Sequence, residues 1–275
     1  MRPLPILSGF ALLLSAACTA PAGGPSRPAA AVVLRYVDLT HDLSSDSIFW
    51  PTGETFQLTK VADGVTDKGY YYASNSFSGN EHGGTHLDAP VHFAQGHWTV
   101  EQIPLDRLIG SAIVVDVSAA SAANADYQVS VSDFNGWEAK HGEIEPDSIV
   151  LIRTDFSKRW PDARSYLGTD EKGDGAVAKL HFPGLQPDAA RWLVEKRVKA
   201  VGLDTASIDY GQSTLFESHR ILYERNIPAF ENLAALDMLP PRGATVYALP
   251  MKIKGGSGGP LRAIAAVPAE LPPAR

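Results

Sequence analysis

The chain is 275 residues long, 44% hydrophobic and 20% charged, with 24 lysines and arginines against 31 aspartates and glutamates for a formal net charge of −7. These are the values of one folded, catalytic-sized domain, and they exclude a disordered tail, a collagen-like repeat and a multipass membrane protein. No basic stretch interleaved with aromatics stands out, so no nucleic-acid partner is expected.

The chain opens with a single positive charge at Arg2, followed by the uncharged run from Ile6 to Ala17. A basic start and a short apolar run describe a secretory signal, too short to span a bilayer. Leu14-Ser15-Ala16-Ala17-Cys18 resembles a bacterial lipobox, and Cys18 is the only cysteine in the chain. An exported protein whose one thiol is consumed by lipidation carries neither a disulfide nor a stray reactive group. The reading is a signal over residues 1–17, a lipidated cysteine and flexible Ala-, Pro- and Gly-rich tether over 18–31, and a globular domain over 32–275. The protein is then periplasmic and touches the membrane only through its lipid anchor.

Within the domain, Val32–Leu39, Thr55–Val61 and Tyr70–Phe77 have the β-branched and aromatic content of strands. Ser111–Val117 and Ser148–Thr154 read as buried strands. A helix capped at Ser132 or Asp133 is predicted to run to about Lys140, and a stronger one over Pro187–Val198 has proline at its first turn and turns Trp192 and Leu193 to the core. A short strand follows at Ala200–Asp204, then a helix over Leu215–Arg225 and a strand at Ile227–Phe230. Late strands at Ala244–Leu249 and Arg262–Val267 enclose the glycine-rich segment Gly255–Pro260. Strands and helices do not alternate strictly, so a mixed α/β single domain fits better than a doubly wound sheet.

Of the 8 histidines, four lie between His82 and His97. His82-Gly83-Gly84-Thr85-His86-Leu87-Asp88-Ala89-Pro90-Val91-His92 offers imidazole nitrogens and a carboxylate, the donors that borderline divalent metals take. On an unbroken strand His82 and His86 would sit about 13 Å apart, at roughly 3.3 Å per residue. One ion could not bridge that distance, so the chain must turn between them, and Gly83-Gly84 permits it. His86 and Asp88, two apart, then share a face. Further ligands must come from elsewhere, and His219, Glu231 and His181 all remain open on spacing alone. His97 and His141 read as surface residues.

The segment from His82 to Phe93 resembles the H-x-G-T-H-x-D-x-P-x-H-F motif of the cyclase family, which contains bacterial kynurenine formamidases and isatin hydrolases. Phe49-Trp50-Pro51-Thr52-Gly53 is similar to the family's early pocket-wall segment. His181–Leu185, Gly202–Asp209, His219 through Leu233, and Gly258–Arg262 resemble later motifs, so the likeness runs from about Val37 to Val267. It implies a swivelling β/β/α domain, dimeric or larger. It also implies one or two divalent ions, Zn²⁺ or Mn²⁺, on His82, His86, Asp88, His219 and Glu231, with Asp88 able to bridge. His92 becomes the acid/base, and Trp50 with Phe49 the support for an aromatic ring. The implied chemistry is hydrolysis of a C–N amide bond by metal-activated water. The first expectation is an arylformamidase acting on N-formylkynurenine. The alternatives are isatin-hydrolase-like opening of a cyclic amide or lactone, or a metal-binding lipoprotein with no turnover. Glu81, just before the first ligand, and insertions at Ser118–Asp126 and Ser157–Lys179 lean toward the isatin-hydrolase branch.

Overall fold

The computed structural model describes residues 33–269. The signal, Cys18 and tether readings lie outside them.

In chain order the strands are β1 (Leu34–Asp38), β2 (Gln57–Val65), β3 (Tyr71–Ser78), β4 (His86–Asp88), β5 (Ile109–Asp116) and β6 (Gln128–Val129). They continue with β7 (Ile149–Arg153), β8 (Gly184–Leu185), β9 (Ala200–Leu203), β10 (Ala229–Glu231), β11 (Ala244–Pro250) and β12 (Gly258–Pro268). The expected strands are present with shifted ends, and the 227–230 strand begins two residues later, after Pro228, which has no N–H to give a ladder.

The domain is mixed α/β. Its sheet runs β12-β11-β5-β7-β9-β10-β4 and then closes, because β4 also pairs with β12; β1 adds to the outside edge of β12. The seven strands from β12 round to β4 therefore form a closed barrel. β5, β7, β9 and β10 are mutually parallel, and the remaining barrel pairings are antiparallel. Closure was not expected from the sequence. β4 is three residues long, and its partner on the far side is the Gly258–Pro260 end of β12, with Gly258 opposite Asp88 and Pro260 opposite His86.

Two apolar layers follow from strand alternation. Leu87, Val114, Ile149, Leu151, Phe230, Val246 and Ala263 fill the barrel interior. The opposite faces of the parallel strands, including Ile113, Val115, Val150 and Ile152, are covered by helices Val131–His141, Pro187–Glu195 and Glu217–Tyr223. The first of these begins two or three residues earlier than the composition suggests: Ser130 is the cap, and Asp133 closes a capping box with it. Leu193 is fully buried, whereas Trp192 is only partly buried and stacks on Phe134 at 5.2 Å.

A third cluster, Ile48, Phe156, Tyr166, Leu167, Leu180 and Phe182, is drawn largely from the 157–179 insertion and its borders. β2 and β3 form a separate two-stranded ribbon. Leu58, Val61, Tyr71 and Phe77 on this ribbon are exposed.

Candidate metal centre

The strand period brings the first residues together. On β4, Leu87 points into the barrel while His86 and Asp88 point out of it, and all three are buried. Antiparallel pairing sets Glu231 of β10 directly opposite His86. Before β4 the chain turns at Gly84, whose φ of +63° suits glycine. A Cβ on Gly83 would lie 2.0 Å from Phe49 Cδ1, so the buried Phe49 ring occupies the space that a side chain there would need. The turn swings His82 back until its Nδ1 is 2.7 Å from Asp88 Oδ1. His92 leaves the strand in a short 3₁₀ turn, Pro90–His92. Its ring stacks on His82 at 3.8 Å, with Nε2 4.0 Å from Asp88 Oδ2.

The fourth direction is supplied by helix Glu217–Tyr223. His219 and Tyr223, four apart, share one face. The Tyr223 hydroxyl donates to Asp88 Oδ2 at 2.8 Å, and His219 Nε2 lies 3.2 Å from Glu231 Oε1 and 3.6 Å from Asp88 Oδ2.

The hydrogen bonds fix which nitrogens carry protons. His86 Nδ1 donates to the Gly84 carbonyl at 2.9 Å. Its Nε2 is buried with no hydrogen-bond partner among the described residues, yet it faces Asp88 Oδ1 at 3.1 Å and Glu231 Oε2 at 3.4 Å. His219 Nδ1 donates to Asp209 Oδ2 at 2.5 Å, which leaves its Nε2 turned to the same two carboxylates. Two imidazole nitrogens and two carboxylates converging in a buried space repel one another unless positive charge, carried by protons or by a cation, sits between them. A divalent cation meets that requirement, and both imidazoles already have the outer partner that metal-bound histidines usually keep. The donor set therefore fits a metal ion. His86, Asp88 and Glu231 form one grouping with ligand atoms near enough for an ion, and His82, Asp88 and His92 another, sharing Asp88.

The electrostatics agree. Burial alone would depress His86, but the hydrogen bond and charge of Asp88, with the charge of Glu231, carry it to about 8. Burial and the Asp88 charge push Glu231 up. Asp88 is held well below the carboxylate range: burial opposes its ionisation, and His82, His219 and His86 outweigh burial. His92 behaves oppositely, because burial takes it down to about 4 and Asp88 only partly offsets that. His92 is thus a neutral base at pH 7, beside a site that attracts cations.

His82, His86, Asp88, His92, His219 and Glu231 line one cavity of about 260 Å³ together with Phe49 and Trp50. That is just below the usual range of ligand pockets (~300–1,000 Å³) and suits a molecule of one or two rings. Trp50 meets Phe182 and Phe216 at 6.4 and 6.2 Å between ring centres. Of the residues left open by spacing, His181 is exposed and pairs with Asp126 at 2.9 Å, outside the cavity. His97 is partly buried against Asn226, and His141 is exposed at a helix end.

Sequence reasoning passed over four supporting residues. Asp209 accepts from His219 and from the backbone N–H groups of Ser218 and His219. Burial opposes its ionisation, yet the His219 bond and charge hold its carboxyl below the ordinary range. Tyr223 was signalled only by its spacing from His219. Asn232, with φ of +54°, donates to the Gly84 carbonyl at 2.7 Å while its own carbonyl accepts from Thr85 Oγ1 at 2.6 Å, locking the glycine turn to β10. Ser257 accepts from His82 Nε2 at 2.9 Å.

The Cyclase family matches residues 37–210. Isatin hydrolase of Roseibium aggregatum is 36% identical over 77% of this chain and 81% of its own length. Kynurenine formamidase of Salinibacter ruber is 29% identical over 83% of this chain and 95% of its own. Among solved structures, isatin hydrolase A from Labrenzia aggregata bound to benzyl benzoate superposes with a TM-score of 0.77 at 34% identity, covering 86% of this chain and 94% of that one. An isatin hydrolase bound to the product analogue thioisatinate gives 0.77 at 32% identity, over 86% and 93%.

Proposed function

The chain belongs to the cyclase family and is a hydrolase of that family, and from this premise we propose that it opens a cyclic aromatic amide of the isatin type. One observation carries the reading: two imidazole Nε2 atoms and two carboxylates meet at one end of a small aromatic-walled cavity, with a neutral histidine beside them. His82, His86, Asp88, His219 and Glu231 would hold one or two divalent ions, Zn²⁺ or Mn²⁺, both of which suit imidazole and carboxylate donors. An ion so held lowers the pKa of a coordinated water and polarises a carbonyl oxygen.

The protein's own groups do the rest. Trp50, with Phe216 beyond it, supports the ring of the substrate and turns its carbonyl toward Asp88 and His92. His92 Nε2 takes a proton from the attacking water. The water oxygen bonds to the carbonyl carbon, the C–N bond breaks, and His92 returns the proton to the departing nitrogen. An anilide nitrogen leaves poorly as an anion, so that return is essential.

Ring opening displaces the arylformamidase reading as first choice. Its support is the higher identity to the isatin hydrolase, 36% against 29% for the formamidase, and the compact cavity. The test offers isatin and N-formylkynurenine side by side to protein starting near Ala22, chelated and then reconstituted with zinc or manganese. Isatin should be consumed, with turnover abolished by chelation. Turnover of N-formylkynurenine alone would restore the formamidase reading, and metal bound without turnover of either would reject both.

Three attributes complete the proposal. The domain is of the swivelling β/β/α class, supported by its two apolar layers. It is a homo-oligomer, supported by Leu58, Val61, Tyr71 and Phe77 exposed on a two-stranded ribbon, which rarely stands alone in water; light scattering on the eluted protein tests this. It is exported and lipid-anchored through Cys18, supported by the lipobox resemblance, and Cys18→Ala should abolish incorporation of labelled fatty acid.

A further inference from the structure

The glycine-rich segment Gly255–Pro260 is shaped around two neighbouring side chains, Glu81 and His82. Ser257 donates its hydroxyl to Glu81 Oε2 at 2.7 Å, and its backbone N–H reaches the same oxygen at 2.9 Å. The flanking glycines make room. A Cβ on Gly256 would lie 2.9 Å from Glu81 Oε1, and one on Gly258 would lie 2.6 Å from His82 Cε1. The loop is tied down on its other sides, with the Ser257 carbonyl accepting from Ala89 N at 2.8 Å and the Gly255 N–H donating to Glu101 at 3.0 Å.

Proton counting settles the direction of this chain. A carboxylate only accepts, so the Ser257 proton lies on the Glu81 side. Ser257 Oγ must then accept from His82, and the proton of His82 sits on Nε2. Its Nδ1 is left facing Asp88 Oδ1 at 2.7 Å, a place for a cation or, without one, a second proton. His86 and His219 arrive at the same state by other means, one through a backbone carbonyl and the other through Asp209.

We infer that Ser257, held by Glu81, is a positioning residue that fixes the Nε2–H form of His82 and so presents Nδ1 to the metal position. The inference rests on the metal reading of the site given above. It also gives Glu81 and the glycine-rich loop a task that the hydrolytic reading alone does not assign: outer partners of this kind orient the ring and raise its basicity as a ligand.

The test has two readouts that do not depend on turnover. Zinc affinity of the purified protein is measured by competition with a chromophoric chelator. The tautomer of His82 is read from two-bond ¹H–¹⁵N correlations of the zinc-loaded protein. Ser257→Ala should weaken zinc binding about 10- to 100-fold and erase the Nε2–H pattern, while Ser257→Thr, which keeps the hydroxyl, should restore both. Glu81→Ala should weaken binding in the wild-type background and add little in the Ser257→Ala background. Unchanged affinity and tautomer in Ser257→Ala would overturn the inference, as would an equal Glu81→Ala effect in the two backgrounds or a wild-type protein that binds no zinc. Ser257-dependent zinc binding without turnover of isatin or N-formylkynurenine sinks the substrate reading and leaves this one standing. Isatin turnover with wild-type zinc affinity in Ser257→Ala does the reverse.

Discussion

The floor of the cavity is carried on strands and its wall on loops, and different forces hold the two. The floor residues His86, Asp88 and Glu231 sit on β4 and β10, almost wholly buried, with positions set by strand register. The wall residues Phe49, Trp50 and Phe216 come from irregular segments held by aromatic contacts and by the cluster built from the 157–179 insertion. Charge that must be neutralised defines the first, and apolar surface with looser geometry the second. Substitutions in the floor should therefore act on whether chemistry happens at all, and those in the wall on what enters and how well it sits.

The sharpest break in that comparison is removal of a floor carboxylate. Glu231→Gln should lose bound metal and lower turnover about 10³-fold or more, since the ion contributes several kcal/mol of charge stabilisation; metal analysis and kinetics on one sample check it. His92→Ala separates catalysis from metal binding: kcat should fall about 10²- to 10⁴-fold with metal content unchanged. Loss of metal as well would make His92 a ligand.

Acidity probes the floor directly. The two carboxylates raise His86 to about 8, so the metal-free protein holds a proton there at pH 7. A metal must displace that proton. Affinity should rise with pH toward 8, with protons released on binding, seen as binding heats that vary with the ionisation enthalpy of the buffer.

The junction between the two regions is Gly83. Gly83→Ala forces the Phe49 ring aside and should cost about 1–3 kcal/mol of stability, read by denaturant titration. The smallest effect belongs to the wall. Trp50→Leu should raise KM about 2- to 12-fold with kcat little changed, the loss of a ring contact worth ~0.5–1.5 kcal/mol. An equal fall in kcat would show that Trp50 also orients the reacting carbonyl.

The same division explains what could be read from the residues alone. The turn at Gly83-Gly84 and the shared face of His86 and Asp88 follow from local spacing, and both are present. Barrel closure rests on β4 meeting β12 across about 170 intervening positions, through a glycine-rich end with no strand signature. Asp209, Asn232 and Ser257 act through side chains that short polar residues carry in any loop, and only the fold brings them to the imidazoles or to the turn that holds them. The choice among His181, His219 and Glu231 was open for the same reason. Spacing says nothing about which of three distant residues a helix and a strand will deliver.

The brevity of β4 has a mechanical consequence. Its three residues join β10 to β12 and close the ring of strands, and they are the residues that carry His86 and Asp88. A cation gripping these two and Glu231 works as a clasp across the joint between β4 and β10. Opening the barrel there means letting go of the cation, so occupancy should slow amide exchange around the whole ring and not only at its ligands. A chelator should therefore lower the resistance of this protein to unfolding as well as its activity.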